Sequence, residues 1–199
     1  MIMTKYEIMT HLINKKNGYL FTSDVENEGI SRTYMARYVR ENNLEKVAEG
    51  IYVTVETWPD QLYIIQTKNP KVIYSGETAL YLNMLLEREY SEIQVSVPND
   101  YNGWRLREKK IKVHKEKDEI YGLGMCEIET NFGNKVRAYN RERSICDLIK
   151  RRSQFEVQDY QTAIRTYMRG RDKDLSLLLI YAEKLKIRDE VMKYVEVMV

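Results

Sequence analysis

The sequence predicts an α+β protein in two domains: a small helical module closed by a β-hairpin over residues 1–57, and a mixed α+β domain over 58–199 that ends in a group of helices. Three observations predict it. Apolar residues recur at helical spacing near the start and again beyond Asn140, short alternating segments lie between, and the pattern changes character at Trp58-Pro59. With 199 residues, 43% of them apolar and only three prolines, the chain has material for packed cores and little for long linkers.

The first helix is read from Tyr6, Met9, Leu12 and Ile13, with Asn17-Gly18 as its stop. After Tyr19-Leu20-Phe21, the run from Thr22 to Glu26 offers N-cap residues, Ser23-x-x-Glu26 matches a capping box, and Gly29 ends a very short second helix. Ser31 then caps a third helix in which Met35 and Val39 share one face, while Thr33, Arg37 and Arg40 share the other, with Tyr34 and Ala36 beside them. Asn42-Asn43 closes that helix, and Leu44 to Val53 reads as two strands around a Glu49-Gly50 turn. Three short helices and a terminal hairpin in this order describe a winged helix-turn-helix.

The second domain is read as a helix from Asp60 to Lys68, a strand Val72 to Tyr74 and a helix Glu77 to Leu86. Strands follow at 93–97 and 111–114, and Met125–Thr130 pairs with Lys135–Tyr139 as a hairpin across Asn131 to Asn134. Four helices complete the chain, with breaks near Ser153 and at Arg169-Gly170-Arg171.

A net charge of +2 provides little overall steering toward nucleic acid, and residues 1–57 carry seven Lys/Arg against eight Asp/Glu. Any basic surface must come from segregation of charge. Two cysteines, Cys126 and Cys146, fall short of a zinc site and fit a reducing, cytoplasmic setting, and no apolar stretch is long enough to span a membrane.

On the winged-helix reading the outer face of the third helix enters the major groove, where Arg meets guanine and Thr or Tyr meets base edges or phosphate. The candidate DNA-binding residues are Ser31, Arg32, Thr33, Tyr34, Arg37, Tyr38, Arg40 and Lys46, with Glu26, Glu28 and Glu49 expected to point away from the duplex. Arg105, Arg107, Lys109, Lys110 and Lys112 would add phosphate contacts, or else form a solvated basic edge strand. A third basic set, Arg137, Arg141, Arg143, Lys150, Arg151 and Arg152, would bind a partner or stay in water.

No catalytic residue, metal or cofactor is expected. His11 and His114 lack partners near in sequence, Gly122-Leu123-Gly124 reads as a turn, and Cys146 sits in an apolar stretch. Glu127-x-Glu129 reads as the solvent face of a hairpin. The competing reading is a metal-dependent nucleic-acid-processing enzyme with Glu127, Glu129, Asp118 and Asp147 as its acidic residues; a third is a module whose winged helix contacts protein.

Several runs carry a family resemblance. Gly29 to Thr33 and Leu44 to Tyr52, then Ser75 to Leu82, Val97 to Asn102, Thr130 to Asn134 and Arg141 to Ile149, resemble the AbiEi antitoxins of bacterial type IV abortive-infection toxin-antitoxin systems, across nearly the whole chain. The resemblance implies a repressor of its own operon that binds inverted repeats in the promoter, so its partner is double-stranded DNA. It also implies a C-terminal domain that counters a nucleotidyltransferase-like toxin, without implying a stable complex with it. The toxin's own chemistry is not expected, because the Gly-Ser turn that such enzymes place before their paired aspartates does not occur in this chain.

Overall fold

A computed structural model describes residues 3–198, the side chains as far as residue 196. The chain is mixed α+β and divides into two compact units. Unit 1 comprises residues 1–68 together with Thr130–Asn134, and unit 2 comprises 69–129 and 135–199.

Unit 1 runs α1 (Lys5–Lys15), β1 (Tyr19–Phe21), α2 (Thr22–Asn27), α3 (Arg32–Glu41), β2 (Glu45–Ala48), β3 (Ile51–Val53) and α4 (Gln61–Lys68). Thr4 and Glu7 form a reciprocal capping box that starts α1. The capping box expected at Ser23 does not form: α2 begins two residues earlier than that cap would place it, and its N-cap, Phe21, makes no side-chain bond. Ser31 does cap α3, its hydroxyl accepting the Tyr34 N–H. Gly29 and Gly50, both at φ +71°, make the left-handed turns that end α2 and join β2 to β3.

The sheet order is β1-β3-β2, antiparallel throughout, so Tyr19–Phe21 supplies a third strand that its three residues were too short to signal. Two cores result. Met9, Ile13, Val25, Met35 and Tyr38 close the space between the helices, while Tyr19, Phe21, Ile51 and Val53 pack with Tyr63 and Ile64 of α4. That second core places α4 in unit 1, eleven residues past the boundary expected at 57.

The turn Thr130–Asn134 belongs to unit 1 through Asp60. The Asp60 carboxylate is buried, with one oxygen accepting the Tyr63 N–H at 3.1 Å and the other accepting Thr130 Oγ1 at 2.6 Å and Asn134 Nδ2 at 3.0 Å. Its own N–H donates to Tyr19 OH at 2.7 Å.

Unit 2 contains β4 (Ile73–Tyr74), α5 (Gly76–Leu82), β5 (Gln94–Pro98), α6 (Trp104–Glu108), β6 (Lys112–Glu116), α7 (Asp118–Tyr121), β7 (Met125–Glu129) and β8 (Lys135–Tyr139). The helices α8 (Arg141–Lys150), α9 (Val157–Arg169), α10 (Leu175–Lys184) and α11 (Arg188–Met198) follow, as the four-helix expectation had it. The five-stranded sheet has the order β6-β5-β4-β8-β7 and is mixed: β4 runs parallel to β8 and β5 to β6, while β4–β5 and β7–β8 are antiparallel. Among the described residues α8 is the hub, packing against α5, α9, α10 and α11.

Arg143 on α8 is 0% exposed, which corrects its expected place on a basic surface. Its Nε lies 3.1 Å from both Asp147 oxygens, Nη1 donates to the Ile120 and Leu123 carbonyls, and its guanidinium lies 4.3 Å from the Tyr139 ring centroid. Glu116, also buried, bonds Arg151 and lies 3.9 Å from Arg143 Nη2. The i, i+4 spacing puts Arg143 and Asp147 on one face of α8, so the two charges enter the core already paired.

Candidate nucleic-acid interface

The two-sided character of α3 follows from its sequence. Met35 and Tyr38 face the core, and Thr33, Tyr34, Ala36, Arg37 and Arg40 remain exposed. Tyr38 therefore leaves the candidate set: it is 3% exposed, packs edge-on against Tyr6 at 4.6 Å and shares a hydrogen bond with Thr10 Oγ1. Its ring reads as surface chemistry in sequence, yet an amphipathic tyrosine fills a core equally well when its hydroxyl finds a partner.

The exposed arginines are not equivalent. Arg32 Nε bonds Glu26 at 2.5 Å, and Arg37 Nε bonds Glu41 at 2.7 Å, one turn along the same helix. Arg32 holds the Glu26 carboxyl below its usual range. Arg40 and Lys46 are exposed and make no ion pair among the described residues. Tyr34 stands at the N-terminal turn with Lys5 Nζ 5.7 Å from its ring centroid.

An open groove of about 580 Å³ runs between α3, the β2–β3 hairpin and α4. Met35, Val39, Ile51 and Tyr52 line it, and Arg32, Lys46 and Lys68 share it with Glu26 and Glu49. The expected segregation of charge is corrected here. Glu26 and Glu49 stand beside Arg32 and Lys46, because the end of α2 and the hairpin turn both border this groove. Each face carries one cation more than its acids: Arg32, Lys46 and Lys68 against Glu26 and Glu49 in the groove, and Arg37 and Arg40 against Glu41 on the other face beside Thr33.

The basic stretch in unit 2 is a helix and a strand rather than one edge strand. Arg105 and Arg107 lie exposed on α6, Lys109 and Lys110 form the turn after it, and Lys112 opens β6. Lys110 takes φ +57°, which reverses the chain so that Ile111 can enter the core. Lys112 is half-buried and pairs with Glu92 at 3.4 Å, so it is the least available of the five.

The acidic residues of the enzyme reading do not converge. Glu127 and Glu129 are exposed on edge strand β7, Asp118 is exposed at the start of α7, and Asp147 is taken by Arg143. Among the described residues no three His, Cys, Asp or Glu side chains gather as metal ligands would. The chain's Asp-x-Asp pair, Asp172 and Asp174, is also occupied. Asp172 bonds Arg141, and Asp174 caps α10 by accepting the Leu177 N–H at 2.9 Å.

His11 is exposed on α1. His114 Nε2 lies 3.3 Å from Gln94 Oε1, and burial, reinforced by Arg151 and Lys112, lowers its pKa to about 4. Burial pushes the Cys146 thiol up to about 12, and Cys126 is raised for the same reason, so neither is an activated nucleophile.

Among the described residues no helix is long and apolar enough to cross a membrane. No family model and no curated protein matches the chain. Its fold is similar to that in the crystal structure of the RV2827C protein from Mycobacterium tuberculosis, with a TM-score of 0.50 over 95% of this chain and 78% of that one. At 11% identity the likeness is one of fold.

Proposed function

We propose that unit 1 is a winged helix-turn-helix and that the protein is a cytoplasmic, DNA-binding repressor of its own operon. The observation that carries this reading is the order α1-β1-α2-α3-β2-β3 with the sheet order β1-β3-β2, which leaves one face of α3 free beside an exposed hairpin. Thr33, Tyr34, Arg37 and Arg40 would read base edges, Ser31 and Arg32 would lie at the helix start near phosphate, and Lys46 would make a backbone contact from the hairpin. Glu41 competes for Arg37, so the duplex must draw that guanidinium away from its partner.

The motif resemblance supplies the rest of the proposal. It makes the target an inverted repeat in the promoter and the protein an antitoxin opposed to a nucleotidyltransferase-like enzyme, with unit 2 as the part required for antitoxicity. Binding of a promoter fragment tests the first part. Arg37→Ala with Arg40→Ala should weaken binding at least about tenfold, given about 1–3 kcal/mol for each good base contact. Unchanged affinity in a folded double variant would remove α3 from the interface. Growth on co-expression with the neighbouring toxin gene, comparing the full chain with variants of unit 2, tests the antitoxin role.

A further inference from the structure

Trp104 stands out of unit 2 with 57% of its surface exposed, the one large apolar side chain exposed between residues 99 and 117. Its setting follows from α6. Leu106 points into the core, and lying two residues on, across the helix, it sends Trp104 outward and puts Arg105 and Arg107 to either side of it, with Glu108 one turn along the same face. Lys109 and Lys110 continue the same surface through the turn, and Lys117 follows β6.

These five cations are all exposed and make no ion pair among the described residues, in contrast to Lys112, held by Glu92, and Lys115, which donates to the Asn99 carbonyl. The Trp104 indole makes no ring contact or side-chain hydrogen bond among the described residues, and only its backbone N–H is engaged, by Asn102 Oδ1 at 3.2 Å. An aromatic face left in water costs free energy, and cations crowded on a few residues repel one another. Both features are relieved by one kind of ligand.

We infer that Trp104 with Arg105, Arg107, Lys109 and Lys110 forms a binding surface for single-stranded nucleic acid, in which a base stacks on the indole and the flanking cations hold phosphates. A flat ring needs the open face of an unpaired base; in a duplex those faces are covered by neighbouring pairs. A lipid surface would use the same cations but asks for a broader apolar patch than one indole, and no second large apolar side chain is exposed between residues 99 and 117. The inference is independent of duplex recognition by α3, since every residue in it belongs to unit 2.

The chain has two tryptophans, Trp58 and Trp104, so Trp58→Phe in the full-length protein leaves an indole signal from this surface alone. A single-stranded oligonucleotide of about ten residues should quench that signal, while a blunt duplex of the same sequence quenches it far less. Trp104→Ala should weaken single-strand binding at least about tenfold with the melting temperature unchanged, and Arg105→Gln with Arg107→Gln should flatten its dependence on salt. Binding to the promoter fragment should survive all three substitutions. Equal quenching by the duplex, quenching by anionic phospholipid vesicles with none by the oligonucleotide, or full affinity in Trp104→Ala would overturn the assignment. Arg37→Ala, which tests α3, should leave the quenching intact, so failure of one surface is separable from failure of the other.

Discussion

In unit 1 the arginines of α3 stand in solvent: Arg32 bonds Glu26 and Arg37 bonds Glu41 on open helical faces, while the core beneath holds Met9, Val25, Met35 and Tyr38. Unit 2 instead seals Arg143, Asp147 and Glu116 inside, against the Tyr139 ring. The same residue types have different tasks in the two settings. An exposed pair loses little when it opens, so its arginine can be given up to a ligand. A buried pair cannot open without leaving a charge stranded, so Arg143 stays where it holds the Ile120 and Leu123 carbonyls beside α8.

The contrast breaks most visibly at Asp147. Asp147→Ala strands the Arg143 guanidinium and should cost about 3–5 kcal/mol of unfolding free energy, read from denaturant midpoints. Arg143→Met combined with Asp147→Leu removes both charges and should recover most of that loss. A mild effect of Asp147→Ala would mean that water reaches the pair and that the two units are alike after all.

A smaller effect belongs to His114, held at about 4 against an ordinary 6.5 by burial and by Arg151 and Lys112. The unfolded chain takes up that proton more readily than the folded one. The contribution of the neutral ring is therefore complete above about pH 6.5 and declines as the pH falls towards about 4. His114→Gln should reduce the fall in urea midpoint between about pH 7 and about pH 5; an equal fall in the variant would assign the acid sensitivity to other groups.

The smallest effect should come from unit 1. Glu41→Gln frees Arg37 without exposing any core, and calorimetry should find the melting temperature unchanged while promoter affinity rises. A lower affinity would mean that Glu41 orients Arg37 instead of competing with duplex DNA for it.

Much of the fold was legible in sequence wherever a pattern ran long enough to repeat. The β7–β8 hairpin, the four last helices and the Ser31 cap all follow from periodicity or from a capping residue. Three short elements were not legible: β1, α6 and α7 are each shorter than the window over which a period can be counted, and no hairpin turn marks them as it marks β2–β3 and β7–β8. The domain boundary moved for another reason. Trp58-Pro59 marks a change of composition, but Tyr63 and Ile64 complete a core begun by Tyr19 and Phe21, and a contact across more than forty residues leaves no local trace.

The candidate interface was half legible. The polar side of α3 follows from the spacing of Met35, but the removal of Tyr38 depends on Tyr6 and Thr10, and the crowding of Glu26 and Glu49 beside Arg32 and Lys46 depends on where the hairpin turn comes to rest. Arg143 carried one usable signal, an aspartate one turn on among the apolar residues Ile145, Cys146, Leu148 and Ile149. Trp104 carried none, because exposure of a tryptophan is decided by the burial of Leu106 two residues away.

Asp60 sets an order on synthesis. Its carboxylate is covered inside unit 1 by Thr130 and Asn134, which leave the ribosome about seventy residues after it. Until then the carboxylate has the Tyr63 N–H alone, with two of its three donors still unmade. Unit 1 thus reaches its finished form only after two-thirds of the chain has been translated, and a gene fragment that stops at residue 68 encodes an unfinished version of it.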